Sequence, residues 1–312
     1  MSTPAAIAHA AHLLRQGQLV AMPTETVYGL AADATNTTAV ARIYATKGRP
    51  AFNPLIIHVP SYQAATELGA FSPAAQQLAE AFWPGPLTLV VPYIGTTISP
   101  LARAGLATVG LRVPAHPVAQ ELLAACGCPL AAPSANRSGQ VSATLPAHIE
   151  ADFGTEVPIL PAGPSPVGIE STIISTLNTT LTLLRPGAIT PEAIAARGLT
   201  LAPHTPLSPT SPLAPGQLAS HYAPRAPVRL NATQHEAGNA WLTFGTHNPA
   251  LASAPSINLS PTADITEAAS NLFAALRELD SRNPTAIAVV PLPTHGLGLA
   301  VADRLTRAAA PR

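Results

Sequence analysis

Pro203, Pro206, Pro209, Pro212 and Pro215 fall on every third residue of "APHTPLSPTSPLAPG". Proline has no amide hydrogen to donate and a fixed φ, so neither a helix nor a central strand runs through such a stretch. Polyproline II has three residues per turn, which lines these rings along one edge of an extended linker. The 312 residues therefore read as two folding units and a strap: 1–192, the linker 193–227, and 228–312. A chain of this length can bury two cores.

Within residues 1–192, the runs "QLVAM", "PLIIHV", "PLTLVVPY", "ATVGLRVP", "PLAAPS", "STIISTL" and "LTLLRP" predict strands. "TTAVARIYATKG", "SPAAQQLAEAFWPG", "HPVAQELLAACG" and "TPEAIAARG" predict helices, with Ser72–Pro73 and Thr190–Pro191 at starts and Gly127 and Gly198 at stops. Several strands follow one another without an intervening helix, so the fold class is α/β with a mixed sheet. After Pro227 a smaller α/β unit follows: strands in "VRLNA", "AWLTFG" and "AIAVVPLP", a long helix near "TEAASNLFAALRELD", and a closing helix.

Composition excludes several classes. Hydrophobic residues are 47% and charged residues 10%, which is globular and not disordered. Sixteen bases balance sixteen acids, so the surface is not built chiefly to grip a phosphate backbone. The cysteine pair of "ACGCP" (Cys126, Cys128) lacks the second pair of a structural zinc site and reads as reduced thiols. "MSTPAAIAHAAHLLRQG" predicts an amphipathic helix with Pro4 in its first turn and Gly17 past its end. No signal peptide and no run of 18 apolar residues occurs, so the cytoplasm is expected and a membrane is not.

No G-x-x-x-x-G-K-[ST], H-E-x-x-H or G-x-S-x-G is present. In "HGLGLAVAD", Val301 stands where a dinucleotide fingerprint needs its third glycine, so a tight strand-to-helix turn is the better reading. Polar residues instead gather at the ends of apolar runs. They are Thr24, Glu25, Thr26 and Tyr28 after "VAM"; Lys47, Arg49 and Asn53 before "PLIIHV"; Arg112; Ser134, Asn136 and Ser138; Ser171 and Thr172; and Arg185. Strand ends collect ligands in α/β proteins, and guanidiniums with hydroxyls suit an anion. Plainer readings stand beside this one. Thr24 and Thr26 can be β-formers, His58 a structural strand histidine, and "SANRSG" a turn. Arg112, between Leu111 and Val113, needs a partner. Lys47 is the one lysine beside 15 arginines: either a solvated cation closing a helix, or a compact charge that a guanidinium cannot replace.

"PTETVYGLAAD", "KGRPAFNPLIIHV", "TVGLRVP", "APSANRSGQVSAT" and "GIESTIIS…LLRPGAI" together resemble the YrdC family over residues 8 to 192. "PGQLASHYAP" and "HGLGLAVADRLTRAA" are similar to the linker and closing helix of its two-domain form, threonylcarbamoyl-AMP synthase. The resemblance implies a YrdC-like domain with a twisted mixed sheet and a smaller Rossmann-like C-terminal domain. It implies that L-threonine, bicarbonate and ATP give threonylcarbamoyladenylate and pyrophosphate, which other enzymes use to modify tRNA beside the anticodon. Carried over by position, Thr26, His58, Arg112, Ala132 and Ser171 would surround threonine, with Arg112 on its carboxylate. Arg49, Asn53, Thr108, Ser134, Ser142, Arg185 and Tyr222 would contact ATP. Lys47, Arg49, Ser134 and Asn136 form the catalytic set, with Lys47 and Asn136 where carbamate and α-phosphate meet. Mg2+ would arrive with ATP and have no dedicated protein ligands. The linker would fold over the site and bring Tyr222 to the nucleotide. The YrdC fold is also associated with duplex RNA, so weak RNA binding is a further implication. A carbamoyl-adenylate enzyme of hydrogenase maturation is the nearest rival.

Overall fold

The computed structural model describes residues 2–202, 214–216, 220–234, 236–246 and 254–311. The first unit runs α1 (Pro4–Arg15), β1 (Val20–Met22), β2 (Gly29–Asp33), α2 (Thr37–Lys47), β3 (Ile56–His58), α3 (Tyr62–Thr66), α4 (Pro73–Phe82), β4 (Leu87–Pro92), β5 (Thr108–Arg112), α5 (Pro117–Cys126), β6 (Leu130–Ala131), α6 (Pro146–Phe153), β7 (Thr172–Ser175), β8 (Thr182–Arg185) and α7 (Pro191–Ala195). The second runs β9 (Val228–Arg229), β10 (Ala240–Thr243), β11 (Ser256–Asn258), α8 (Ile265–Ser281), β12 (Ile287–Val289) and α9 (Leu297–Ala309).

Each element predicted from an apolar run is present, whereas β2, β11, α3 and α6 are not among the predictions. β2 is "GLAAD", with no β-branched or aromatic residue; its pairing between β1 and β6 makes it a strand, not its propensity. Helix starts follow the expected chemistry. Ser72 accepts from the Ala75 amide, Thr190 from Ala193, and proline occupies the first turn after each. α7 crosses the boundary read at 192, and the Ala202 amide donates to Leu181 O at 2.7 Å, so the first unit's packing continues to residue 202. Pro203, Pro206, Pro209 and Pro212 lie outside the described residues; Pro215 lies within them.

The first sheet has the order β1-β2-β6-β3-β5-β4-β7-β8. β3 pairs with β5 and β4 with β7 in parallel, and the other pairings are antiparallel. Period-two alternation sorts its residues. Leu30, Ile57, Leu89, Leu111 and Ile174 face the main core with α2 and α4. On the other face, α1 and α5 cover Val20, Met22, Ala31 and Leu130. Beside them Ile56 and His58 of β3, and Thr108 and Arg112 of β5, keep that same face. His58 and Arg112 are direct neighbours in the parallel register.

The second unit is a four-stranded parallel sheet, β11-β10-β12-β9, covered by α8 and α9. Gly298 makes the expected tight turn into α9, since a Cβ there would lie 2.2 Å from Pro293 O. This core continues without a break onto Val27, Val141 and Ile169 of the first unit and Tyr222 of the strap. Gly168 permits the contact: its φ is +73°, and a Cβ would meet Ser270 O of α8 at 2.4 Å. The two units are therefore packed against each other directly beside the open face of the large sheet.

Candidate active site

A small cavity of about 40 Å³ lies where that face meets the strap. Thr26, His58, Arg112, Ala132 and Ser171, expected around threonine, and Arg49, Ser134, Arg185 and Tyr222, expected on ATP, all line it. Thus nine of the expected site residues share one wall, drawn from loops and strand ends far apart in the chain.

At one end Arg112 supplies the cation. Its NH2 donates to Glu25 Oε1 at 2.6 Å, its NH1 to Thr26 Oγ1 at 2.9 Å and its Nε to Gly85 O at 3.3 Å. Glu25 is the partner that a charge in an apolar strand requires. Burial alone would raise the Glu25 carboxyl, but the charge and hydrogen bond of Arg112 outweigh it and hold it below its ordinary range. Thr24 and Thr26 are not in a strand, which corrects the β-former reading. Thr24 Oγ1 lies 2.8 Å from Thr26 Oγ1 and donates to Val27 O, so this loop is a hydrogen-bonded knot that presents Thr26 to Arg112. His58 is buried, and burial followed by the Arg112 charge pushes its pKa down to about 3. Its imidazole is neutral, and its Nδ1 has no partner among the described residues.

The other end is more cationic. Arg49 reaches from the turn after α2, with Nε 3.3 Å from Asn53 O and NH2 3.1 Å from Pro54 O. Arg185 donates to Ser171 O at 3.0 Å and Ser171 Oγ at 3.1 Å. Carbonyl and hydroxyl oxygens hold both guanidiniums, and among the described residues no carboxylate forms an ion pair with either. Glu170 also lines this end; its Oε1 accepts from Ser142 Oγ, and its Oε2 from Arg304 Nε of α9 at 2.9 Å.

Lys47 stands behind this wall, not in solvent. It is 3% exposed, and its Nζ donates to Ser134 O at 2.6 Å and to Asn136 O. The helix-end reading is therefore overturned: Gly48 does cap α2 in the left-handed conformation, but the ammonium turns inward. Burial, then the Arg49 charge, brings its pKa well below the ordinary lysine value. Asn136 donates to Arg137 O and Gln140 O, leaving its Oδ1 unpartnered among the described residues. "SANRSG" is thus a turn and part of the site at once.

Three expected nucleotide contacts do not line this cavity. Ser142 lies one hydrogen bond behind it, through Glu170. Thr108 lines a neighbouring crevice with Pro54, Thr88, Ala214 and Pro215. Asn53 is buried beside Arg49, with its Oδ1 unpartnered among the described residues. The strap covers both spaces. Pro215, Gly216, His221 and Tyr222 line the cavity, and the Ala223 amide donates to Gly139 O at 2.9 Å. Tyr222 takes φ +61°, rare for a bulky side chain, and stacks on Phe273 of α8 at 5.5 Å.

Glu25, Glu170 and Arg304 are the participants that sequence reasoning did not assign. The signal existed for Arg304: it falls three residues after Val301 on the apolar stripe of α9, where an arginine demands a partner.

Residues 12–187 match the Sua5/YciO/YrdC family model, described as "Telomere recombination", and residues 189–310 match the threonylcarbamoyl-AMP synthase C-terminal domain. The Bacillus subtilis threonylcarbamoyl-AMP synthase is 40% identical, covering 98% of this chain and 93% of that one. The chain belongs to the threonylcarbamoyl-AMP synthase family. The Pyrococcus abyssi relative is 39% identical over 96% of this chain. A crystal structure of P. abyssi Sua5 complexed with L-threonine superposes with a TM-score of 0.88, covering 97% of this chain and 94% of that one. The two-domain family architecture is thus reproduced along nearly the whole chain.

Proposed function

We propose that the protein condenses L-threonine, bicarbonate and ATP into L-threonylcarbamoyladenylate and pyrophosphate, the first step of threonylcarbamoyladenosine formation in tRNA. The observation that carries this reading is a cavity with two kinds of cation. Arg112 is fixed by Glu25 and Thr26 in a geometry suited to forking an amino-acid carboxylate. Arg49 and Arg185 are held by carbonyl and hydroxyl oxygens, so their charge is available to phosphates.

The chemistry needs no protein nucleophile. Bicarbonate takes up a proton and releases water to give CO2; the neutral threonine amine adds to that CO2, and the proton it loses on forming the carbamate replaces the one consumed. A carbamate oxygen then bonds the α-phosphorus as the bond to the β-phosphate oxygen breaks, and pyrophosphate leaves with that electron pair. The protein's contribution is positioning and neutralisation of charge on the transferring oxygens. Lys47 fixes the 134–136 backbone and lends its charge beside Ser134 and Asn136. The closed strap excludes water from a carbamate that readily loses CO2.

The donors present do not suit a protein-held metal. Glu170, the carboxylate lining the cavity, is bonded to Arg304 and Ser142, Glu25 behind it gives its Oε1 to Arg112, and among the described residues no cluster of three His, Cys, Asp or Glu could hold an ion. Mg2+ is therefore treated as part of the Mg·ATP substrate. No helix among the described residues is long and apolar enough to cross a membrane.

Pyrophosphate release tests the reading. It should require both threonine and bicarbonate, with serine a poorer substrate by about 10–200-fold at most, since one methyl contributes little more. Release supported by carbamoyl phosphate without an amino acid would instead favour the hydrogenase-type rival.

A further inference from the structure

We infer that Arg304, on the last helix of the second domain, is a positioning residue for nucleotide binding that acts through Glu170. The inference rests on the proposed adenylate chemistry and adds a residue to it.

Arg304 is 0% exposed, unusual for a guanidinium, and lies outside the cavity lining. Its Nε bonds Glu170 Oε2 at 2.9 Å, and its NH1 bonds Pro186 O and Asp303 Oδ2, each at 2.8 Å. Its face lies over the Tyr222 ring, 5.2 Å from the centroid. Three of these partners adjoin a group assigned to ATP: Pro186 follows Arg185, Glu170 holds Ser142, and Tyr222 is the strap's contact; Asp303 adjoins none.

Electrostatics supplies the reason. A carboxylate lining a site for a triphosphate would repel it, and a buried one would take the nearest cation as partner. For Glu170 that alternative is Arg185, the guanidinium the phosphates need. The groups facing Glu170 are Arg304 from α9, Arg185 from β8, Ser142, Lys47 from α2, and His221 and Tyr222 from the strap. Arg304 occupies the carboxylate and so releases Arg185. Glu170 in turn fixes Ser142: with its proton on Glu170, the Ser142 hydroxyl is left as an acceptor. It then suits a ribose hydroxyl or an amine hydrogen of the base better than a phosphate oxygen. Arg277 of α8 grips the same segment from its other side, with Nε 3.3 Å from Ser142 O and NH2 2.7 Å from Asp152 Oδ2. Arg277 has no bond to Glu170 and serves as the control.

The test uses the full chain and compares wild type, Arg304→Met, Glu170→Gln, the double variant and Arg277→Met. Steady-state pyrophosphate release and calorimetric ATP binding are followed from about pH 6 to 9. Arg304→Met should raise KM and Kd for ATP by about tenfold or more, with KM for threonine within about twofold. That deficit should shrink toward low pH, as Glu170, deprived of the Arg304 charge and hydrogen bond, takes up a proton and frees Arg185. In the Glu170→Gln background, loss of Arg304 should have no further effect on ATP, and Arg277→Met should show no such pH dependence. An Arg304 effect that is equal for both substrates, independent of pH, or undiminished by Glu170→Gln would overturn the inference. Should Arg304→Met not fold, the double variant against Glu170→Gln alone decides: equal ATP affinity supports it, weaker affinity in the double contradicts it. Wild type that binds ATP but releases no pyrophosphate would sink the functional reading while leaving this comparison intact.

Discussion

At the end of the cavity proposed for threonine, the cation and its counter-ion belong to the same domain: Arg112 on β5 and Glu25 on the loop after β1. At the end proposed for the nucleotide, the carboxylate comes from the first domain and its guanidinium from the second, Glu170 with Arg304. Both pairs are buried, so neither contributes much net stability over an apolar replacement, yet losing one partner of either is costly. What differs is who controls the pair. At the proposed threonine end both ionic partners belong to the first domain, although Val27 beside Thr26 packs into the second domain's core, while the proposed nucleotide end takes a guanidinium from the second domain. On the proposed reading, domain packing should bear more on ATP affinity than on threonine affinity.

The largest expected effect lies at the nucleotide end. Lys47→Arg should lower adenylate formation by roughly one to three orders of magnitude, the cost of one preorganised electrostatic contact. A helix-end cation would have left stability nearly unchanged, but the buried Nζ between Ser134 O and Asn136 O has no room for a guanidinium. Overpacking of this kind costs about 1–3 kcal/mol. The thermal midpoint should fall by roughly 2–10 °C. Turnover within about twofold of wild type would reduce Lys47 to a structural residue.

Arg112→Lys should be intermediate and confined to the other end. Lysine cannot keep Thr26, Glu25 and a carboxylate together, so KM for threonine should rise roughly 10–100-fold. KM for ATP should stay within about twofold. Equal loss for both substrates would show that the two ends are not independent.

The smallest effect is a stability slope. His58 at one end and His221 at the other are both held neutral, burial being the main cause, with pKa values pushed from 6.5 down to about 3. Between those limits the unfolded chain binds protons that the folded chain does not, so stability falls as pH drops below about 6.5. Each histidine contributes at most ~1.4 kcal/mol per pH unit. The carboxyls of Glu25 and Glu170, both lowered, act in the same direction at lower pH. Denaturation midpoints of His58→Gln and His221→Gln between about pH 7 and 4 would separate the two ends; a slope unchanged in both variants would mean other groups carry it.

Much of this was legible in the sequence, for reasons specific to each residue. Period-two alternation in "PLIIHV" and "TVGLRVP" puts His58 and Arg112 on one face, and the polar residues gathered at the ends of apolar runs mark the site. β2 was not legible, because "GLAAD" becomes a strand only by pairing with its neighbours. The inward turn of Lys47 was hidden for a related reason: its two acceptors lie 87 and 89 residues away. Arg304 and Glu170, 134 residues apart, meet only because the second domain packs on Gly168, and no local pattern encodes that docking.

Isotope-resolved mass spectrometry tests the central claim most directly. The full chain would be incubated with Mg·ATP, L-threonine and carbon-13-labelled bicarbonate, and the adenylate collected. The account predicts threonylcarbamoyl-AMP carrying one labelled carbon in the carbamoyl group, formed in step with pyrophosphate and absent when threonine is omitted. Unlabelled product, or an adenylate lacking threonine, would contradict it.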